Sequence, residues 1–290
     1  MHSVLKSRHC VLDMTKEHNF ILKVLSDFAN KRSTDAVQGL DWHAIILCAK
    51  QHEISGIIYH QCKTFLPEEP LQLLKKYNIF CVYAYTIRTD LLASIQAEFE
   101  KESISFFTVK GLDVAAFYPV PALRTMGDCD IIVHSVDKQR AHEALLKLGF
   151  MNKSKQNAEW TYYKSRLEFE LHDHLLYDET VNSRLSKDFT ETAWEYTSGD
   201  ACRKTLNWNF HFIFLLLHLK KHLMNSGVGF RQFMDLMFTA KTVDLDWKWL
   251  TEQLQKLKIL NFTRVCLTLC EQWFGVPLPM TTELDSDFYE

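Results

Sequence analysis

Near Ile104 the chain changes its period, and that change limits the folds open to it. Upstream, from about Val11 to Ser103, apolar residues recur every three or four positions. Behind Pro70, the residues Leu73, Tyr77, Phe80, Ala84, Ile87, Leu91 and Ile95 follow this spacing and predict one stripe of a long helix. Asp41, ahead of WHAIILCAKQHEI, has the place and chemistry of an N-cap. From Ile104 the pattern shortens. ISFFTV is a β-branched and aromatic run that ends at Lys110-Gly111, after which LDVAAFY returns to helical spacing. Pro119 and Pro121 stop that helix, and CDIIV, from Cys129 to Val133, reads as a second strand. A helix follows, with Ser135 expected to cap it and Gly149 to stop it. WTYYK and LEFELHD, joined through Ser165-Arg166, suit a hairpin. Beyond about residue 180 the spacing is helical again, with Asn207 and Asp246 as caps and Gly275 as a stop.

The expected fold class is therefore α+β: a small mixed-sheet core at 104–180, flanked by helical parts at 1–103 and 181–290. With 290 residues and 47% apolar content, the chain can bury the core that this plan needs. FHFIFLLLHL, from Phe210 to Leu219, is too short to span a bilayer and reads as a buried helix. The 33 basic and 36 acidic residues are interspersed, so duplex nucleic acid is not an expected partner. Eight dispersed cysteines and an N-terminus with no continuous apolar segment suggest a cytoplasmic protein without a structural zinc site.

Pairs of aspartates one residue apart occur three times. Asp244/Asp246 has a sufficient cause in helix capping, and Asp285/Asp287 lies in a polar tail. Asp128/Asp130 differs because a strand period of two points both side chains to one face, with Asp130 inside an apolar run. A carboxylate there needs a positive partner, which could be Lys110, Arg124 or a metal ion. Glu168 and Glu170 share one side of the later strand LEFELHD, and a third acid beside the two aspartates makes a set of oxygen ligands for a hard divalent cation. The Lys110-Gly111 turn, opening a helix, is the kind of place where backbone N–H groups approach phosphate.

The ordered run VKGLDVAAFYPVPALRTMGDCDIIV, followed by FELH, resembles the nucleotidyltransferase superfamily with the DNA polymerase β-like fold. KGL, LRTMGDCD, ELH and HLKKHLMNSGVGFRQFMDL are similar, more narrowly, to the bacterial group known as uncharacterised nucleotidyltransferases. The resemblance implies Mg²⁺ or Mn²⁺ held by Asp128, Asp130 and Glu170, which would also be the catalytic residues. It implies an NTP, with ATP preferred, whose phosphates are met by Lys110, Gly111 and Arg124. It also implies transfer of NMP to an acceptor hydroxyl with release of pyrophosphate. His172, His218, His222, Arg231 and Asp235 stand at matching places and are expected around the acceptor. That acceptor is expected to be a small molecule or a peptide, with a tRNA or another protein as the other choices. Lys-Gly replaces the Gly-Ser usual in the superfamily, so Lys110 would stand in for a hydroxyl contact to phosphate. Asp173-His174 departs from the aromatic more common in the narrower group. From the residues alone, His218 and His222 make a poor zinc pair, and Arg231 and Asp235, one turn apart, are expected to pair with each other. Two rivals stand beside the transferase: a non-catalytic nucleotide-binding or regulatory protein of the same fold, and a metal-dependent phosphohydrolase using His172, Asp173 and His174.

Overall fold

The computed structural model describes residues 15–156, 159–176, 184–225 and 227–282. The Asp285/Asp287 pair and Cys10 lie outside them. The seven cysteines described are free thiols. Four helices come first: α1 (Lys16–Ala29), α2 (Trp42–Gln51), α3 (Ser55–Cys62) and α4 (Glu68–Lys101). The central unit comprises β1 (Phe106–Val109), α5 (Gly111–Ala115), β2 (Asp130–Val133), α6 (Lys138–Lys147), β3 (Met151–Gln156), β4 (Glu159–Lys164) and β5 (Leu167–His172). Then follow α7 (Arg184–Glu191), the short strands β6 (Thr197–Ser198) and β7 (Thr205–Leu206), α8 (Trp208–Asn225), α9 (Phe230–Thr242), α10 (Trp247–Lys256) and α11 (Leu260–Phe274). This is the mixed α/β architecture with flanking helices that the change of period predicts.

The main sheet has the order β1-β2-β5-β4-β3. Only β2 and β5 run parallel, and α6 with the β3–β4 hairpin supplies the long crossover that a parallel pair requires. The β4–β5 turn is the expected hairpin, with both Ser165 and Arg166 at positive φ (53° and 64°) as the strand twist demands. Reading the sequence missed β3, because Met151, Asn152, Lys153 and Ser154 show no apolar alternation. They belong to an edge strand with one unpaired side, where polar residues and lysine discourage further pairing.

One sheet face packs Phe107, Val109 and Ile132 against the helices of both chain ends, so the two flanking parts share a core. Ser26 and Asn30 of α1 each donate a hydrogen bond to the Phe274 carbonyl at the end of α11, both at 2.9 Å. This satisfies an orphan carbonyl of the last turn from the other end of the chain. The other sheet face packs Cys129, Ile131, Phe169 and Leu171 against the second half of α4 and against α6.

Two local expectations are corrected. The stripe of α4 is phased differently from the one read in the sequence: Leu74, Cys81, Ala84, Arg88, Leu91, Ile95 and Phe99 are buried, whereas Phe80 is 57% exposed. The first half of α4 answers to α3 rather than to the sheet. At the crossing, a Cβ on Gly56 would meet Leu123 at 3.1 Å and Cys81 at 3.4 Å. Ser135 does not cap α6. It opens a 3₁₀ turn, Ser135–Asp137, and the helix starts at Lys138. The caps at Asp41, Asn207 and Asp246 and the left-handed Gly275 stand as expected. FHFIFLLLHL lies in α8 with Phe210 to Leu217 buried, and no described helix is long and apolar enough to cross a membrane.

Candidate active site

Parallel pairing of β2 and β5 sets Asp130 opposite Glu170 and Ile132 opposite His172. Because strand side chains alternate, Glu170 and His172 share the face from which Asp130 projects. Asp130, Glu170 and His172 each offer a ligand atom, and these atoms lie within 4.8 Å of one another. His172 Nε2 is 3.2 Å from Glu170 Oε2 and 3.4 Å from Asp130 Oδ1. Lys110 Nζ approaches the other oxygen of Asp130 at 2.9 Å. The partner that the sequence demands for the buried Asp130 is thus Lys110, one of the candidates it offers, with His172 added.

The electrostatics follow from packing opposite charges in a buried place. Burial alone would raise the Asp130 pKa, but Lys110 and His172 outweigh it and hold this carboxyl well below the usual range. Glu170 is pushed up to about 7 by burial and by the charges of Asp128 and Asp130, against the hydrogen bond from His172. Burial disfavours the imidazolium of His172, yet the hydrogen bonds and charges of Asp130 and Glu170 raise it to about 9. Asp128 sits in the loop two residues before β2, outside the 4.8 Å group, while its charge acts on Lys110 and Glu170. Glu168 accepts a short hydrogen bond from Tyr163 Oη, which leaves Glu170 as the third acid.

The turn after β1 is strained. Lys110 has φ 57° and ψ −124°, a conformation that non-glycine residues rarely adopt, followed by Gly111 at φ 26°. A histidine missed in the sequence holds this turn. His211 Nε2 on α8 accepts the Lys110 N–H at 2.8 Å, and burial lowers its pKa to about 4, so it stands neutral as an acceptor must. The signal was present, since a histidine inside the run FHFIFLLL has to find a polar partner when the run is buried.

Other expected residues are placed differently. Arg124 does not reach Asp130. Its Nε and Nη2 meet both oxygens of Asp235 on α9 at 3.1 and 2.7 Å, and Tyr118 Oη donates to the same carboxylate at 2.7 Å. Asp235 therefore does not pair with Arg231, whose Nε meets Glu53 just after α2 instead. Asp235 faces the buried side of α9 and is 4% exposed, so the better-shielded guanidinium claims it. Lys110, Arg124, His218, Arg231 and Asp235 nonetheless line one cavity, of about 20 Å³, which has room for a single water. His218 and His222 stack edge to face with ring centroids 4.4 Å apart. Burial, then Lys110 and His222, keep His218 neutral. Neither belongs to a metal-capable group among the described residues. Asp173 pairs with Lys138 at 2.9 Å and is not one of the three clustered ligands.

Two strand-borne carboxylates suit a hard divalent cation such as Mg²⁺ or Mn²⁺, and His172 could add its Nε2 only once it has lost its proton. The structure thus offers a candidate metal site without singling out the ion.

A model of the family described as "Uncharacterised nucleotidyltransferase" matches residues 38–275. No curated protein matches the chain. Among solved structures, a solution structure of the antibiotic-resistance factor ANT(2″)-Ia is similar at 10% identity and a TM-score of 0.42, over 64% of this chain and 97% of that one. At that score the likeness carries no argument about this chain.

Proposed function

Because the chain belongs to the uncharacterised nucleotidyltransferase family, within the DNA polymerase β-like superfamily, we propose that it transfers NMP from an NTP to an acceptor hydroxyl. The observation that carries this reading is Asp130 opposite Glu170 in a parallel register, beside the strained Lys110-Gly111 turn. In the proposed step the acceptor oxygen forms a bond to the α-phosphorus, the α–β bridging P–O bond breaks, and pyrophosphate leaves with the electron pair. Asp130 and Glu170, with Asp128 from the loop, would hold Mg²⁺ or Mn²⁺, and the ion would supply charge neutralisation for the phosphates when bound. The hydroxyl proton would pass to the carboxylate of Glu170, the third acid of the cluster. Lys110 and the N–H groups that open α5 would meet the leaving phosphates. ATP is the proposed NTP, and a small molecule or peptide is the proposed acceptor.

The pairing of Asp173 with Lys138 favours this reading over the phosphohydrolase, which would need that carboxylate at the cluster. The test is incubation with each α-labelled NTP and Mg²⁺ or Mn²⁺ across an acceptor panel. Label on an acceptor together with released pyrophosphate, both lost in Asp130→Ala, is the expected result. Labelled NMP or phosphate released to water makes the protein a hydrolase. Nucleotide binding without turnover across the panel makes it a binding protein.

A further inference from the structure

A second cavity, of about 270 Å³, lies at the free edge of β1, lined by Thr108, Asp113, Arg203, Lys204, Trp208 and His211 among others. It is separate from the acid cluster. Asp130, Glu170 and His172 line no part of it, and Thr108 points to the opposite sheet face from Val109, the residue paired with Asp130. The cavity forms where strand pairing fails. The segment after β6 joins the β1 edge only at Phe106, whose N–H donates to Cys202 O and whose carbonyl accepts from Lys204 N.

Its polar lining is unbalanced. Both oxygens of Asp113 are taken: Oδ2 accepts from Thr108 Oγ1 at 2.6 Å and Oδ1 from Arg203 Nη2 at 3.1 Å. Arg203 uses only Nη2, leaving Nε and Nη1 with no partner among the described residues. Lys204 Nζ makes one bond, to the Gly199 carbonyl, and the indole N–H of Trp208 has no protein acceptor among the described residues. The remaining donors therefore outnumber the remaining acceptors, and two of them carry positive charge. A ligand that completes this set brings oxygens and negative charge.

We propose that this cavity binds a small metabolite bearing an oxyanion, a phosphate ester or a carboxylate, and that its occupant acts on the Lys110-Gly111 turn through His211. The volume falls just below the range of drug-sized ligands and so favours a compact one. The link is short. Trp208 and His211 of the cavity wall stack face to face, with centroids 4.7 Å apart and planes 6° apart, and His211 accepts the Lys110 N–H. Thr108 and Asp113, also in the wall, flank the same turn in sequence. Lys110 in turn carries the ammonium beside Asp130. An occupant that shifts the Trp208–His211 stack moves the acceptor that fixes the strained turn.

The test titrates the full chain, without NTP or metal, with glycerol 3-phosphate and separately with glycerate. Nitrogen and proton NMR would follow the Trp208 indole and the Lys110 amide. Saturable shifts of both signals are expected, with the tighter ligand naming the anion class. Arg203→Gln and Lys204→Gln should each weaken binding about tenfold. Lys204→Gln guards against misfolding, because its side chain contacts only a loop carbonyl. No saturable shift up to roughly 10 mM of either ligand overturns the site, as does binding that survives both cavity variants. A Trp208 shift without a Lys110 shift overturns the link to the turn. No turnover is measured, so the outcome is independent of the transferase reading.

Discussion

Asp235→Asn puts the placement of the flanking helices to its hardest test. In the native chain Asp235 on α9 receives two hydrogen bonds from Arg124 and one from Tyr118, with the Arg124 and Asp235 side chains 2% and 5% exposed. The substitution leaves the guanidinium charged, because burial alone cannot deprotonate it, and strips its counter-ion. An uncompensated buried charge of this kind costs about 3 to 5 kcal/mol. Tyr118→Phe removes one hydrogen bond to a charged acceptor and should cost about 1.5 to 3 kcal/mol. Replacing both charges by apolar residues, Arg124→Met with Asp235→Leu, should recover most of the loss, since the pair's own net contribution is small once desolvation is counted. Urea denaturation of the wild type, Arg124→Met, Asp235→Leu and the double variant closes a double-mutant cycle, and Asp235→Asn and Tyr118→Phe are read in the same assay. If Asp235→Asn loses under about 1 kcal/mol, the pair is not buried as described and the argument for Arg124 fails.

Both His172, raised to about 9, and Glu170, raised to about 7, bind protons more tightly in the folded chain than in the unfolded one. The Glu170 contribution is full below its ordinary value and lost as pH rises through 7, and that of His172 is full below its ordinary value and lost as pH rises through 9. Each pKa lies about 2.5 units above its ordinary value, so metal-free stability should fall by up to about 3 kcal/mol for each group between pH 4.5 and pH 9, as read by denaturation at each pH. His172→Gln should flatten the upper part of that fall, and an unchanged slope there contradicts the assignment. His211→Phe leaves the Lys110 N–H without its acceptor and should cost about 1 to 3 kcal/mol in the same assay, with Gln at this position recovering part of it. Mn²⁺ at about a hundred times its Kd should stabilise the chain by about 2.7 kcal/mol. Glu170→Gln should remove that gain and Glu168→Gln should keep it, and the reverse order would transfer the third ligand to Glu168.

Reading the sequence located the central unit, its acids and its turn because each leaves a local mark: a change of period, two acids one residue apart, a glycine between strand and helix. It could propose Lys110 as a partner for Asp130 since both flank strands of one small sheet. What it could not fix were the choices made between distant segments. Arg231 and Asp235 are one turn apart in α9 and look paired, yet each faces a different neighbour, Glu53 and Arg124. Residue spacing reports which side chains are within reach of each other and says nothing of a better-buried competitor more than a hundred residues away. His172 and His211 were open to the same limit. The family resemblance puts His172 near the acceptor, and spacing puts His211 only within an apolar helix. Their roles depend on a strand register and a helix position that no local pattern encodes.

The same long-range contacts explain why a small sheet comes with so much helix. The five residues before Cys129 have no regular structure of their own after the turn at Pro121–Leu123, and a free loop there would leave Asp128 poorly placed. Instead they are tied at several points. Arg124 is held by Asp235 of α9, and Thr125 Oγ1 donates to the Glu53 carbonyl after α2 at 2.8 Å. The Gly127 carbonyl accepts from Arg88 Nη2 of α4 at 2.6 Å, and Cys129 N–H donates to Glu168 of β5. Arg88 is 3% exposed and feels the charges of Asp128 and Glu168, so it fixes the loop and also lowers the cost of placing acids there. The loop is thus positioned by both chain ends and by the sheet. Cutting away either helical part would leave β2 and β5 able to pair, while the acid ahead of them lost its support.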